Sequence, residues 1–376
     1  MTRHLLGQPF TVHQFHYRAS AGDATTQHML FLRDAFADIG IKGKIFAVEK
    51  KNLPQGKVQT WSLDSSWDCD LFLIHHSEGN PILNQILQME VPSAFVYHSP
   101  PPESFYDHDP EAKNRVRLGK KQLSTFRERE IPAYATSQHV VNELSQLGFE
   151  KPSLLPLFHL SSQKKTRELT KMDEPKNILF VGRLAPHKRQ AHLIQTFFHM
   201  RSVLPAHSKL FLVGTGDPLY IKYLKLLIQQ LDLKSSVVLT GKVTDNDLQH
   251  YFSIADAFVG ASAHEGLCST FVEAMLQDIP VFYQGVPGAK ETMGKSGIEL
   301  LTDRPIEIAA IVSTFMNQPK MLISVIHNQR ERIKALAQTQ NKALIQEHFL
   351  EKCSAIRRLP LTTNRYLSVD ESTHPT

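Results

Sequence analysis

Two glutamates eight positions apart carry the strongest chemical signal in this sequence. Glu265 follows a strand-like stretch, 256–262, and Glu273 lies on a helix predicted to begin near Ser269. A turn between a strand and a helix exposes backbone N–H groups at the helix N-terminus, where the helix dipole favours anions. A carboxylate beside such an anion site would compete with a bound phosphate, so its presence is best explained by a ligand hydroxyl that donates to it. The combination suits a nucleotide sugar, whose phosphates bind amides and cations and whose sugar hydroxyls bind carboxylates.

Arg183 and Lys188 are the candidate cations, since both follow a predicted strand at 177–182. A nucleoside-diphosphate leaving group gains negative charge as the glycosidic bond breaks, so fixed cations stabilise the transition state more than the ground state. Arginine offers a planar fork and lysine a compact point charge, which together suit a pyrophosphate. The alternative is two surface cations on a loop with no ligand.

No metal or other cofactor is expected. Adjacent His75 and His76 lie on a predicted strand and therefore point to opposite faces, so they do not form a ligand pair. No predicted helix carries a His-x3-His pair. The positive charge for the reaction is assigned to side chains instead.

The spacing Glu265-x7-Glu273 resembles that of the retaining glycosyltransferases of family 4, which have the GT-B fold. Four further blocks resemble the family in its order between residues 177 and 300: Phe180-Val181-Gly182-Arg183-Leu184-Ala185-Pro186-His187-Lys188, Leu210-Phe211-Leu212-Val213-Gly214-Thr215-Gly216-Asp217, Val238-Leu239-Thr240-Gly241 and Gly285-Val286-Pro287-Gly288-Ala289-Lys290-Glu291-Thr292. Residues 75–80 and 97–102 look similar to bacterial enzymes of surface-polysaccharide (O-antigen, capsule or lipopolysaccharide) assembly.

The resemblance implies roles for the charged residues. Arg183 and Lys188 would hold the diphosphate, Glu265 would contact the transferred sugar, and Glu273 would hold the nucleotide ribose. His98, at the end of a predicted strand, resembles the family's histidine by the reacting face of the donor sugar. The alternative is a histidine that only caps the strand end.

Other candidate binding residues lie in the turns of the predicted sheets. The resemblance places glycines and backbone amides near the phosphates and Lys242 near the base, with Cys268 as a small buried thiol rather than a reactive one. The full set is Gly22, Gly214, Gly216, Lys242, Gly266, Leu267, Cys268, Ser269 and Thr270. Asp23 is either a helix cap or an acceptor contact. A predicted loop with Gly288, Ala289 and Glu291 would contact the sugar, and His75 and His76 would line the acceptor side.

Strands alternating with helices predict an α/β fold with parallel sheets. The expected architecture is GT-B, with two facing Rossmann-like doubly wound domains and a cleft between them. The predicted domains are residues 1–170 on the acceptor side and 171–346 for the nucleotide sugar, joined by a polar linker at 161–176. Residues 347–376 are expected to form a helix that crosses back to the first domain, followed by a polar tail.

Bulk composition bounds the class of protein. The 376 residues are 41% hydrophobic and 21% charged, which is typical of a globular protein rather than a disordered or membrane-spanning one. The N-terminus lacks a signal-peptide pattern. Three cysteines far apart, Cys69, Cys268 and Cys353, favour a reducing compartment. A cytoplasmic protein is expected, and a net charge of +5 is too small to indicate nucleic-acid binding.

One segment, Lys113 to Arg129, is strongly basic, with seven cationic residues and a single acid. A solvated helix face explains this pattern. The alternative is a surface that contacts anionic lipid headgroups, to which each lysine or arginine contributes ~1 kcal/mol. That alternative predicts peripheral attachment at the inner face of the cytoplasmic membrane.

The predicted function is transfer of a hexose, with retention, from a nucleoside-diphosphate sugar to a saccharide or lipid-linked acceptor in surface polysaccharide biosynthesis. GDP-mannose is the first donor to test. Two alternatives stay open: a sugar-nucleotide epimerase or hydrolase of the same fold, and a non-catalytic nucleotide-sugar-binding subunit.

Overall fold

The computed structural model describes residues 10–62, 68–89, 91–155 and 173–339. The first part of the chain forms a sheet of seven strands with helices between them. Its elements are β1 Val12–Ser20, α1 Ala24–Asp38, β2 Ile45–Lys51, β3 Gln59–Thr60, β4 Leu71–His76, α2 Leu83–Leu87, β5 Ser93–Tyr97, α3 Pro110–Glu128, β6 Ala133–Ala135, α4 Gln138–Gln146 and β7 Ser153–Leu154.

The second part forms a sheet of six strands. Its elements are β8 Asn177–Val181, α5 Gln190–Met200, β9 Lys209–Val213, α6 Pro218–Gln230, β10 Val237–Gly241, α7 Asp245–Ile254, β11 Ala257–Gly260, α8 Ser269–Leu276, β12 Val281–Gln284, α9 Pro287–Met293, β13 Ile298–Leu300, α10 Pro305–Met316 and α11 Pro319–Thr339. The sequence predicted the strands β8 to β12 within a few residues. It did not predict β13 or place a helix at α9.

Both sheets are doubly wound, and every strand pair in them is parallel. The strand order is β3-β2-β1-β4-β5-β6-β7 in the first sheet and β10-β9-β8-β11-β12-β13 in the second. The order reverses between β1 and β4, and again between β8 and β11. Ligands of such sheets bind beyond the carboxyl ends of the strands at this reversal. The loops after β1, β4, β8 and β11 are therefore the places to look for a site.

The local sequence explains these elements. All six residues of β4 are buried, as expected for a parallel strand covered on both faces. In α1, Met29, Leu32 and Phe36 recur at helical spacing and are buried. Asp23 caps this helix by accepting from the Thr26 amide at 2.8 Å. Of the two roles expected for Asp23, the structure therefore shows that of a helix cap.

Two parts of the predicted organisation fall largely outside the described residues. They are the linker, up to residue 172, and the crossing helix at 347–358. The end of the predicted linker is wrong, because Lys176 is buried and its carbonyl accepts from the Lys209 amide where β8 begins. Among the described residues, no helix combines the length and the apolar character needed to cross a membrane.

Candidate active site

Lys188 and Glu265 form an ion pair at the reversal point of the second sheet. Lys188 ends a 3-10 turn, Pro186–Lys188, after β8, and Glu265 follows β11, the neighbouring strand. The Lys188 Nζ and Glu265 Oε1 atoms lie 2.6 Å apart, and the two side chains are 21% and 11% exposed. A shielded pair of this kind has more electrostatic consequence than a surface pair, because water screens it less. The structure thus joins a predicted cation to a predicted acid.

Arg183 lies in the same loop, held by its backbone. Gln190, fully buried at the start of α5, donates from Nε2 to the Arg183 carbonyl at 2.8 Å and accepts from the Ala185 amide at 3.3 Å. The Arg183 side chain is exposed. Burial raises the pKa of Tyr106, in the first domain, and the charge of Arg183 acts in the opposite direction. Arg183 therefore faces the first domain.

Glu273 lies on α8, one turn below the loop that carries Glu265. Its carboxylate has no hydrogen-bond donor or cation among the residues that the structure describes. Burial raises the pKa of Glu273 from 4.5 to about 7. A carboxyl group that is shielded from water and has no partner is stabilised in its charged form only by a ligand that brings hydrogen-bond donors or positive charge.

His98 follows β5 and belongs to a cluster of three histidine rings. Its Nε2 lies 2.9 Å from Nδ1 of His75, and the ring of His28 stands edge-on to both. The neighbouring residue, Ser99, accepts through its carbonyl from Nε2 of His264 at 3.1 Å. Since His264 precedes Glu265, His98 lies beside the loop that carries the ion pair.

The histidine cluster bears on the metal prediction. One ring nitrogen from each of His28, His75 and His98 lies within 4.8 Å of the others, so the three residues form a possible ligand group. The sequence did not indicate this group, because His28 comes from α1, His75 from β4 and His98 from the residues after β5. His75 and His76 do point in opposite directions, as predicted: His76 Nε2 lies 2.8 Å from the Gly119 carbonyl.

Three pairs of aspartates with Asp-x-Asp spacing also occur in the chain, and each has a structural role. Asp70 accepts from the Thr11 amide, and Asp109 caps α3 by accepting from the Ala112 amide. Asp247 accepts from Thr244 in a capping box at the start of α7. The three pairs are at positions 68/70, 107/109 and 245/247.

The predicted glycines divide into two kinds. A Cβ on Gly214 would lie 2.1 Å from the Gly182 carbonyl oxygen, and one on Gly216 would lie 1.8 Å from that of Leu184. These glycines are required because the loops after β8 and β9 touch, whether or not a ligand is present. Gly22 has φ +86° and open space around it, while a Cβ on Gly266 would only reach ordinary contact with the first domain.

The residues after Glu265 begin helix α8. The Cys268 amide donates to Thr292 Oγ1 at 3.4 Å, so it is directed at α9. Cys268 is buried, and burial raises the pKa of its thiol well above the ordinary value. Leu267 packs partly against the core, Ser269 is exposed, and Thr270 is half-buried. Lys242 is exposed after β10, beyond the same edge of the sheet.

One expectation for the second half of the site is wrong. Gly288, Ala289 and Glu291 lie in helix α9 rather than in a loop. Gly288 packs where a Cβ would lie 2.2 Å from the Glu265 carbonyl oxygen. Glu291 points to the first domain, where its two carboxylate oxygens accept from the amides of Gln138 and His139 at 2.6 and 2.9 Å. It therefore caps the N-terminus of α4.

The expectation for the first half is also wrong in one respect. His75 and His76 are 2% and 1% exposed, so they do not line an acceptor surface. Sequence reasoning placed them at the sheet edge correctly, but it had no measure of how α1 and α3 cover that edge. It also missed Gln190. The only local feature that could have indicated this residue is its polar side chain at the start of a helix.

Comparisons with known proteins agree with this geometry. Residues 161–335 match the family model described as "Glycosyl transferases group 1". The chain is 29% identical over 143 residues to an alpha-monoglucosyldiacylglycerol synthase from Streptococcus pneumoniae, covering 37% of this chain and 30% of that protein. It is 27% identical over 150 residues to a GDP-mannose-dependent alpha-(1-6)-phosphatidylinositol monomannoside mannosyltransferase from Mycobacterium tuberculosis, covering 38% of each. The chain thus spans well under half the length of these relatives.

The fold extends the similarity to the first domain. The solved structure of a sucrose-phosphate synthase from Thermosynechococcus elongatus superimposes with a TM-score of 0.70 over 92% of this chain and 99% of that one, at 19% identity. At this identity the likeness concerns the fold alone. The chain therefore has the predicted GT-B fold, and its residues 161–335 are similar to the glycosyl transferases group 1 model.

Proposed function

We propose that this protein is a glycosyltransferase that moves a hexose from a nucleoside-diphosphate sugar to an acceptor hydroxyl. The observation that carries the proposal is the shielded Lys188–Glu265 pair at the reversal point of the second sheet. A cation suited to phosphate and an acid suited to sugar hydroxyls stand within one hydrogen bond of each other. The bond to be broken in a nucleotide sugar joins the same two chemical groups.

The proposed mechanism assigns each charge a task. Lys188 and Arg183 stabilise the negative charge that develops on the leaving diphosphate. Glu265 accepts from hydroxyls of the transferred sugar, and Glu273 accepts from the ribose. The cations fill the electrostatic role of a divalent ion, so we propose that turnover does not need one. A chelator control tests this last point directly.

We further propose that the anomeric configuration is retained. The C1–O bond to the diphosphate breaks, and the acceptor oxygen bonds to C1 on the same face. The acceptor proton passes to the departing phosphate oxygen, so no protein nucleophile is required. Contact between the two domains, which the Ser99–His264 and Glu291–α4 hydrogen bonds support, would exclude water from this step.

The donor and acceptor are proposed from the relatives. One relative is GDP-mannose-dependent by name, and the names of both contain a lipid, diacylglycerol or phosphatidylinositol. GDP-mannose and a lipid-linked or saccharide acceptor in bacterial surface-polysaccharide assembly are therefore the first pair to test. The proposed location is the cytoplasm.

Membrane contact through Lys113–Arg129 has weaker support than the sequence suggested. Acids from elsewhere in the chain pair with three of the cations, and two arginines donate to backbone carbonyls. The pairs are Lys113–Asp107, Arg115–Glu78 and Arg117–Glu103, and the donors are Arg127 and Arg129. Lys120 and Lys121, both exposed, have no partner among the described residues and would have to carry the contact.

The proposed function is tested by donor turnover in purified protein. A panel of GDP-, UDP- and ADP-hexoses is incubated with and without acceptors, and with a chelator. We expect Lys188→Ala and Glu265→Ala each to lower kcat/KM about 100- to 1000-fold, the effect of losing one preorganised charge-stabilising group. Lys334→Ala, which breaks an exposed pair of the same 2.6 Å length with Glu331, is the matched control and should keep kcat/KM within about twofold.

The same assay separates the alternatives. Free sugar or an isomerised donor formed without acceptor would identify a hydrolase or an epimerase. Donor binding without any turnover would identify a non-catalytic subunit. Full activity of both alanine variants would contradict the proposed site.

A further inference from the structure

A chain of hydrogen bonds runs from the core of the first domain to His98. Gln14 on β1 is 1% exposed, and its Nε2 donates to the Met29 carbonyl at 3.0 Å. Its Oε1 lies 2.9 Å from Nε2 of His75. The Nδ1 atom of His75 in turn lies 2.9 Å from Nε2 of His98. The sequence indicated His75 and His98 as candidates, but it gave no signal for Gln14.

The chemistry of these groups determines the direction of each hydrogen bond. A carbonyl only accepts, so the Gln14 amide nitrogen must face Met29 and its oxygen must face His75. His75 Nε2 therefore carries the hydrogen. Burial lowers the pKa of His75 well below its ordinary value, so the ring is neutral and its Nδ1 has only a lone pair. His98 Nε2 must then be the donor between the two rings.

This order leaves one possible form of His98. Burial lowers the pKa of His98 as well, so its ring is neutral with a single hydrogen, and that hydrogen is on Nε2. The Nδ1 atom keeps a lone pair and has no hydrogen-bond partner among the described residues. Because His98 adjoins Ser99, which contacts His264 next to Glu265, this lone pair belongs to the candidate site.

A metal ion is the competing explanation for three clustered histidines. Around tetrahedral zinc, with Zn–N distances near 2.0–2.1 Å, two ligand nitrogens are about 3.3 Å apart. His75 Nδ1 and His98 Nε2 lie 2.9 Å apart, which is the ordinary length of a hydrogen bond. The observed spacing therefore favours a shared hydrogen over a shared ion. It also explains why Gln14 is buried with both of its polar atoms engaged.

We propose that Gln14 and His75 are positioning residues that hold His98 with its hydrogen on Nε2, so that Nδ1 accepts a hydrogen bond from a substrate hydroxyl. The proposal rests on the proposed function for the identity of the substrate, but the state of the His98 ring does not. An imidazole with the other tautomer would offer an N–H to the hydroxyl and would require the hydroxyl oxygen to accept. Fixing the tautomer thus selects one orientation of the bound sugar.

The ring state is measured without any substrate, by 15N NMR of protein labelled at histidine. The His98 signals are assigned by their loss in His98→Gln. We expect wild-type His98 to show one protonated nitrogen, Nε2, and one unprotonated nitrogen, Nδ1. The Gln14→Met variant keeps the length of the side chain but removes the oxygen that accepts from His75. His75 can then exchange between its two neutral tautomers. His98 should then show a mixture of both forms.

Three further variants guard against misfolding and against a merely structural effect. His75→Asn places an amide oxygen close to the position of Nδ1, so it should keep His98 in its wild-type form, whereas His75→Leu should not. His28→Phe is the matched control, since the His28 ring packs edge-on against both rings but neither of its nitrogens is hydrogen-bonded to another described residue. It should leave the His98 signals unchanged.

Turnover provides the second readout. We expect Gln14→Met and His75→Leu to lower kcat about 10- to 100-fold with KM within about threefold, the size of effect seen when an orienting partner is lost. His75→Asn should recover most of that loss. Unchanged His98 signals in both Gln14→Met and His75→Leu would overturn the proposal, even if the enzyme transfers sugar. One metal ion per chain, lost in His28→Phe, would overturn it in favour of a metal site.

Discussion

Glu273 is the residue whose environment has the clearest physical consequence. Its side chain is half-buried without a donor or a cation from the described residues, and the resulting loss of solvation raises its pKa to about 7. The folded protein therefore binds this proton more tightly than the unfolded chain, in which the pKa is 4.5. Stability must fall as the pH rises from about 4.5 to about 7 and remain lower above that range.

We expect Glu273→Gln to remove this loss, because glutamine has no proton to release. At pH 8 the variant should be more stable than wild type by on the order of 2 kcal/mol, while at pH 4 the two should be similar. Urea unfolding at both pH values measures the difference. The donor KM should rise, since an amide accepts more weakly than a carboxylate from ribose hydroxyls. Equal stability differences at the two pH values would show that Glu273 does not titrate in this range.

The sequence was enough to identify the charged residues of the candidate site, but it did not show which of them contact each other. The eight-residue spacing indicated both acids, because a strand, a turn and a helix place them near one loop. It could not show that Lys188 contacts Glu265, since 77 positions separate them and only the pairing of β8 with β11 brings them together. His28 was missed for the same reason.

The loop between β8 and α5 shows how elements position the charged residues. It touches the loop after β9 so closely that Gly214 and Gly216 have no space for a side chain. The sequence marked these glycines as ligand contacts, because a glycine turn after a strand is typical of nucleotide sites. The packing of one loop on another is a tertiary property that the turn alone does not reveal.

We expect Gly216→Ala to lower the free energy of unfolding by about 2–4 kcal/mol, since the added carbon would overlap the Leu184 carbonyl and force the loop apart. Turnover should fall with it, because Lys188 would move away from Glu265. Gly22→Ala is the control for backbone strain alone. It has space but φ +86°, so it should cost only about 1–2 kcal/mol. Chemical denaturation measures both, and equal costs would contradict the packing explanation.

Helix α3 gives a second prediction at this scale. Its basic character looked continuous in sequence because its acidic partners, Glu78, Glu103 and Asp107, lie before the segment. If the helix contacts anionic lipid, Lys120→Gln combined with Lys121→Gln should reduce vesicle binding about tenfold or more, at ~1 kcal/mol for each lysine. Sedimentation with phosphatidylglycerol vesicles at low and high salt tests this. Binding that is absent, or insensitive to salt, would rule out the contact.

At the scale of the whole molecule, contacts among the described residues join the two domains. The Glu291 carboxylate caps α4, His264 lies against the Ser99 carbonyl, and the ring of Phe105 meets that of His187 edge to face. The predicted fold class, with two parallel doubly wound domains, is confirmed. These contacts were not predictable, because they depend on how two separately folded units meet.

We expect Glu291→Gln to favour separation of the domains. An amide loses the charge that the N-terminus of α4 attracts and turns one donor towards the Gln138 or His139 amide, a change of about 1–3 kcal/mol. Energy transfer between fluorophores on the two domains should fall, and the donor KM should rise. Glu111→Gln, an acid in the first turn of α3 with no role between domains, is the control. Equal effects of the two changes would contradict a bridging role for Glu291.

The short contact between Lys188 and Glu265 also has a consequence for the end of the proposed reaction. Lys188 and Glu265 neutralise each other's charge. A nucleotide that lacks its sugar can therefore bind the lysine only by leaving the glutamate without a partner. The intact donor compensates both at once, and its two halves should bind together better than the sum of each alone. In the proposed reaction, the glutamate would regain the lysine after transfer, and this recombination would help to expel the spent diphosphate.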